Sequence, residues 1–194
     1  MEFNLENIKP DVRHLNDMRE VLYDQEWAKS APDTDLYYMY RKLKEENDLF
    51  HNITITLAKF LGKEFNKTKG HIHIGNYGET YTVISGQAIF FMQKTNEAIV
   101  EDVYAVKASA GESVIIPPHY GHVTINPSDV DLKTGDWSSK NSKSDYSLFE
   151  KLQGACYYYT KEGWIKNENY KNVPPLRFEE PLKSLPEDLS FLKG

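Results

Sequence analysis

The chain has 194 residues, 40% of them hydrophobic and 13% aromatic, which suits one folded domain with a sizeable core and is too apolar for a disordered segment. Its 23 Lys and Arg against 29 Asp and Glu give a formal charge of −6 with no basic run, so no nucleic-acid footprint is expected and any anionic small molecule must be held locally. Cys156, the sole cysteine, excludes an intramolecular disulfide and a cysteine-rich zinc site, and reads as a small core residue. The N-terminal Met1-Glu2-Phe3-Asn4-Leu5 lacks the basic and apolar regions of a secretory signal, and no apolar run is long enough to span a bilayer. A cytoplasmic location without a membrane partner is the expectation.

In chain order, the first thirty residues read as a helical and irregular lead-in, with Asn16-Asp17 as cap-like residues before Met18-Arg19-Glu20-Val21-Leu22, and Pro32 closing the region. Residues 36 to 43 mix signals: Leu36, Tyr40 and Leu43 have helical spacing, but the aromatics favour the strand adopted here. Ile53, Ile55 and Leu57 alternate with Thr54 and Thr56 as in a strand, and Gly62 marks a turn. Short strands then follow at 69–74, 79–85, 88–94, 98–106 and 112–116, with reversals at Ser85-Gly86-Gln87 and Ala110-Gly111-Glu112. The polar stretch from 129 to 144 reads as a loop lining a cleft. Strands resume at 155–160 and 164–166 around Glu162-Gly163. Pro174, Pro175, Pro181 and Pro186 make the last segment a surface-wrapping tail without a regular element. The pattern predicts an all-β antiparallel sandwich or barrel. Residues 1–194 form a single domain in this reading, with the core at about 36–166 and the tail at 167–194.

Four residues have the spacing of a single metal centre. His71 and His73 share one face if 69–74 is extended. Gly75, Asn76, Tyr77 and Gly78 can turn the chain so that Glu79 returns beside them, and His122 follows Pro117-Pro118 and Gly121. His71 and His73 alone would also fit a solvated strand face; Glu79 and His122 turn them into a ligand set. Three imidazoles and a carboxylate suit Fe, Mn, Ni, Zn or Cu better than Ca or Mg. An octahedral ion would keep two positions for adjacent oxygens of a sugar. His119 reads as outside the ligand set, and His14 and His51 as surface residues.

The two halves, His71-x-His73 with Glu79 and Gly86, then Gly111 with Pro117, His122 and Asn126, resemble the paired motifs of the cupin superfamily. That resemblance implies a double-sheet jelly-roll barrel. Phe65 and His119 depart from it, standing where those motifs usually carry glycine. A narrower resemblance rests on Thr68-Lys69-Gly70-His71-Ile72-His73, Glu79-Thr80-Tyr81 and Pro117-Pro118 through Asn126, and spans about 37–146. Here the chain is similar to the cupin-type (archaeal-type) glucose-6-phosphate isomerases. The resemblance implies interconversion of D-glucose 6-phosphate and D-fructose 6-phosphate, in glycolysis and gluconeogenesis, by a metal-dependent homodimer. It implies one divalent ion (Fe, Mn, Ni or Zn) on His71, His73, Glu79 and His122. Thr54, Thr68, Gly70 and Tyr37 would hold phosphate, Tyr38 being the alternative to Tyr37, with Tyr81 and Tyr146 lining the sugar pocket. Catalysis would rest on Glu79, His71, His122 and Tyr81, either by proton removal from C2 with Glu79 as base or by direct hydride transfer. A cupin oxygenase using Fe(II) and a non-catalytic sugar-phosphate-binding cupin are the alternatives.

Overall fold

The computed structural model describes residues 3–194. It begins with β1 (Asp11–His14), two 3-10 turns (Leu15–Asp17 and Arg19–Val21) and α1 (Gln25–Ser30). The helical run expected at 16–22 is therefore a pair of 3-10 turns. Leu15, Met18 and Val21 are fully buried, and their three-residue interval matches the 3-10 repeat. The Asp17 carboxylate accepts from the His14 N–H at 3.0 Å, which holds the first turn. The α-helix starts later, where Asp24 accepts from the Trp27 N–H at 3.1 Å.

Next come β2 (Asp35–Glu46), β3 (Leu49–Thr56), β4 (Phe60–Leu61), β5 (Glu64–Phe65), β6 (Ile72–His73), β7 (Glu79–Ser85), β8 (Gln87–Asn96) and β9 (Ile99–Ser109). They are followed by β10 (Ser113–Ile116), β11 (Gly121–Ile125), β12 (Leu132–Ser139), β13 (Ser144–Asp145), α2 (Ser147–Lys151), β14 (Tyr157–Thr160), β15 (Gly163–Lys166) and β16 (Arg177–Glu179). One sheet has the order β1-β2-β3-β12-β7-β10 and packs on a second, β11-β8-β9-β16. This is the all-β double-sheet jelly roll of the cupin type. Two smaller sheets, β13-β6 and β15-β14-β5-β4, flank it.

β8 shows why the second sheet is buried on both sides. Phe90 and Met92 join Tyr81, Val83, Val114 and Leu132 inside the barrel. Ile89 and Phe91, on the opposite face, join Leu15, Leu22, Val103, Phe149 and Tyr157 in a second core beneath the lead-in and the β14 sheet. The apolar run from Ala88 to Met92 in the sequence is the signature of such a doubly covered strand. Cys156 is buried in the second core, where burial pushes its thiol well above the ordinary range.

Five expectations need correction. The stretch 129–144 is not simply a loop: β12 sits at the centre of the larger sheet, between β3 and β7. Its buried positions include Thr134, Gly135 and Asp136, so it carries no apolar alternation to read. The lead-in supplies an edge strand, since β1 pairs antiparallel with β2. The strand expected at 69–74 shrinks to Ile72–His73, because Gly70 adopts φ +85°. The tail does wrap the surface, but it contains β16, which pairs parallel with β9 between Pro175 and Pro181. His51 also differs from its surface reading: its ring lies 4.9 Å from that of Trp137, and burial lowers its pKa to about 4.

Phe149 of α2 ties the second core to the barrel. A Cβ on Gly70 would stand 2.6 Å from its ring, and one on Gly121 2.8 Å, so the ring rests directly on the backbone beside His71 and His122. Phe149→Ala should destabilise the protein by about 3–5 kcal/mol in denaturant unfolding. A loss under about 1 kcal/mol would show that the ring is not the brace described here.

Candidate active site

His71 and His122 are brought together by backbone. The His122 N–H donates to the His71 carbonyl at 3.0 Å and the His71 N–H returns a bond at 3.3 Å, so the two residues face each other across one antiparallel bridge. Their ring centroids are 4.4 Å apart. β7 presents Glu79 from the facing sheet, with its Oε2 3.1 Å from His122 Nε2 and 3.6 Å from His73 Nε2. His73 Nε2 lies 3.2 Å from His71 Nε2. One ligand atom each from His71, Glu79 and His122 falls within 4.8 Å of the other two, and His73 borders this trio through its contacts with His71 and Glu79.

Glu79 Oε2 and both ring nitrogens of His122 are buried without a well-aligned hydrogen-bond partner. Burial lowers the pKa values of His71 and His73, which keeps both imidazoles neutral. Burial pulls the Glu79 carboxyl up, but its close contacts with His122 and the other two histidines outweigh it and hold the carboxyl below its usual range. Neutral imidazoles beside an ionised carboxylate are the protonation states that a metal site requires.

The group borders a cavity of about 310 Å³. His71, His73, Glu79 and Tyr81 line it, while His122 stands behind them, 2% exposed. Tyr37, Thr54, Thr68, Gly70 and Tyr146 line the same cavity. The turn there has one spare donor. Thr68 N–H donates to the Thr124 carbonyl, Lys69 N–H to the Tyr37 hydroxyl and His71 N–H to His122, leaving that of Gly70 without an internal partner among the described residues. Tyr146 precedes α2 and sets its ring 5.5 Å from that of His71. Tyr38 accompanies neither group; its hydroxyl donates to Asp35 at 2.8 Å. His119 is exposed in the turn before β11, and His14 pairs with Asp35 at 3.0 Å near the surface.

Asp136, also on the cavity wall, was hidden in the sequence by the polar run around it. Its carboxyl is 5% exposed and sits opposite Tyr81 in the β12–β7 register. Burial and the nearby Glu79 push its pKa well up. Asn52 donates to it at 2.6 Å and accepts from the Lys42 N–H at 2.8 Å. No sequence cue marked the pair, since Asn52 falls on the same side of β3 as Thr54 and Thr56.

A jelly roll that gathers three imidazoles and a carboxylate at one polar cavity is the frame of a small-molecule enzyme. The profile of the family described as Glucose-6-phosphate isomerase (GPI) matches residues 12–175. The chain belongs to that family and is an isomerase. It is 32% identical over 131 residues to glucose-6-phosphate isomerase of Thermococcus litoralis, covering 64% of this chain and 67% of that one. The corresponding protein of Pyrococcus furiosus is 31% identical over the same shares. Among solved structures, oxalate oxidase in complex with a substrate analogue, glycolate, overlaps at TM-score 0.45 and 15% identity over 57% of this chain and 54% of that chain. The capsular polysaccharide assembling protein CapF from Staphylococcus aureus overlaps at TM-score 0.45 and 21% identity over 54% of this chain and 26% of that one. Overlaps this slight carry nothing about chemistry.

The Asn52–Asp136 contact generates one test. Asn52→Leu strips the buried carboxyl of its donor, and should cost about 1–3 kcal/mol of stability in chemical denaturation. An unchanged midpoint would mean that Asp136 is satisfied another way.

Proposed function

We propose that the chain is a metal-dependent aldose–ketose isomerase interconverting D-glucose 6-phosphate and D-fructose 6-phosphate, acting in glycolysis and gluconeogenesis as a cytoplasmic homodimer. The observation that carries this reading is the convergence of His71, Glu79 and His122 beside a cavity that is also lined by Gly70, Thr54, Thr68 and Tyr37. Among the described residues no helix is long and apolar enough to cross a membrane.

The orphaned Glu79 Oε2 and His122 nitrogens fit a divalent cation, because a buried acceptor without a donor is otherwise costly. His71, His73, Glu79 and His122 would hold one ion per chain, of the Fe, Mn, Ni or Zn type. Such an ion supplies a Lewis acid for the sugar carbonyl. The protein does the rest. Gly70 N–H and the hydroxyls of Thr54, Thr68 and Tyr37 grip the phosphoryl group and so fix which carbons reach the histidines. Burial pushes the Tyr81 hydroxyl well up and the adjacent Glu79 adds to this, so Tyr81 keeps its proton and can donate to a sugar oxygen. Glu79 is the carboxylate nearest the reacting carbons, placed to hold or take the C2 proton.

Chelator should abolish isomerisation in a coupled assay, and one of the four ions should restore it. Glu79→Gln should lose at least about a hundredfold in kcat/KM, as removal of a ligand or a proton-handling group does. Tight sugar-phosphate binding without turnover under every ion would instead make the chain a non-catalytic binding protein.

A further inference from the structure

Nearly every cation around the proposed phosphoryl end of the cavity is already engaged. Lys69, beside the Gly70 turn, is paired at 2.7 Å with both Glu20 and Glu150. Arg41 is paired with Asp11 at 3.0 Å. Lys42 is exposed at the mouth, its ammonium 5.0 Å from the Phe50 ring centre. Arg13 on β1 is different. Its guanidinium carbon lies 5.9 Å from the ring centres of both Tyr37 and Tyr146, two residues that line the cavity. Among the described residues it has no ion pair, and its Nε is buried with no hydrogen-bond partner. An unmatched buried guanidinium nitrogen is unfavourable by itself, and such groups persist where a ligand brings the missing acceptor.

The charge of the substrate makes the same demand. A phosphoryl dianion entering this cavity meets Glu79 on a chain of net charge −6, while Thr54, Thr68, Tyr37 and Gly70 N–H are all neutral donors. Tyr37 connects the two parts, since its hydroxyl accepts from Lys69 N–H at 3.2 Å while its ring lies beside Arg13. We propose that Arg13 is the cation of the phosphoryl subsite, its planar fork offered to phosphoryl oxygens between the Tyr37 and Tyr146 rings. The edge strand β1 then belongs to substrate binding as well as to the sheet. This inference rests on the sugar-phosphate reading above and adds a charged contact to it. It also gives the lead-in a function: Arg13 stands just outside the cavity lining, against Tyr37 and Tyr146, and a neutral sugar would gain nothing from it. Discrimination for phosphorylated over free hexose is thus assigned largely to Arg13.

The experiment uses inorganic phosphate as the probe of full-length, metal-loaded protein. In the wild type, phosphate should compete with fructose 6-phosphate and raise the melting temperature of the chain. Arg13→Gln and Arg13→Met keep a long stem without the charge. Both should weaken phosphate inhibition and phosphate-induced stabilisation by about ten- to a hundredfold, with KM rising in step and kcat falling by a smaller factor. Either folded variant binding phosphate as tightly as the wild type overturns the assignment of Arg13. Failure of phosphate to bind the wild type would overturn the phosphoryl reading of the cavity as well, and so separates the two claims.

Discussion

The reciprocal backbone bridge between His71 and His122 is the constraint on which the rest of the site depends. It joins the turn after Thr68 to β11, two segments about fifty residues apart, and it fixes two imidazoles on one side of the barrel. The bridge can close only because Gly70 and Gly121 let the Phe149 ring rest on their backbone. Glu79 arrives from the other sheet on the register of β7 with β10 and β12. Two sheets, one helix and one turn therefore meet at a group of four side chains. No single element could present it, which is why the ligands are so widely spaced along the chain.

Around that point the molecule separates two kinds of polar chemistry. The imidazole edge is nearly sealed and holds the orphaned atoms of Glu79 and His122. Tyr37, Thr54, Thr68 and Gly70 add neutral donors to the same cavity, with Arg13 against the rings of Tyr37 and Tyr146. Lys69 stands nearest by sequence, yet Glu20 and Glu150 engage it, so it stabilises the lead-in and α2 rather than the cavity. Asp136, tied to Asn52, adds a second buried carboxyl to the cavity lining.

Much of this was legible in the sequence where side chains announce their surroundings. β7 begins and ends where its alternation of Glu79, Tyr81 and Val83 places it, and β8 follows from an unbroken apolar run. The ligand types pointed to a metal centre by their spacing, and the Thr68–His73 run pointed to the cavity through its resemblance to the motif of the isomerase family. β12 was illegible for the opposite reason: a central strand whose buried positions are Thr134, Gly135 and Asp136 looks like a loop. β16 is three residues held by the edge of β9, a tertiary effect with no local pattern. Arg13 gave no signal at all, since a lone arginine in a lead-in acquires meaning only once β1 lies beside Tyr37 and Tyr146.

The central claim is that four side chains, from the turn and short strand at His71 and His73 and from one strand of each main sheet, close on one ion and leave room for sugar oxygens. X-ray absorption at the metal edge of the reconstituted protein tests it most directly. The account requires a first shell with three imidazole nitrogens and one carboxylate oxygen at about 2.0–2.2 Å, altered when fructose 6-phosphate is added. A bound ion with one imidazole or none, or a shell indifferent to the sugar phosphate, would contradict it.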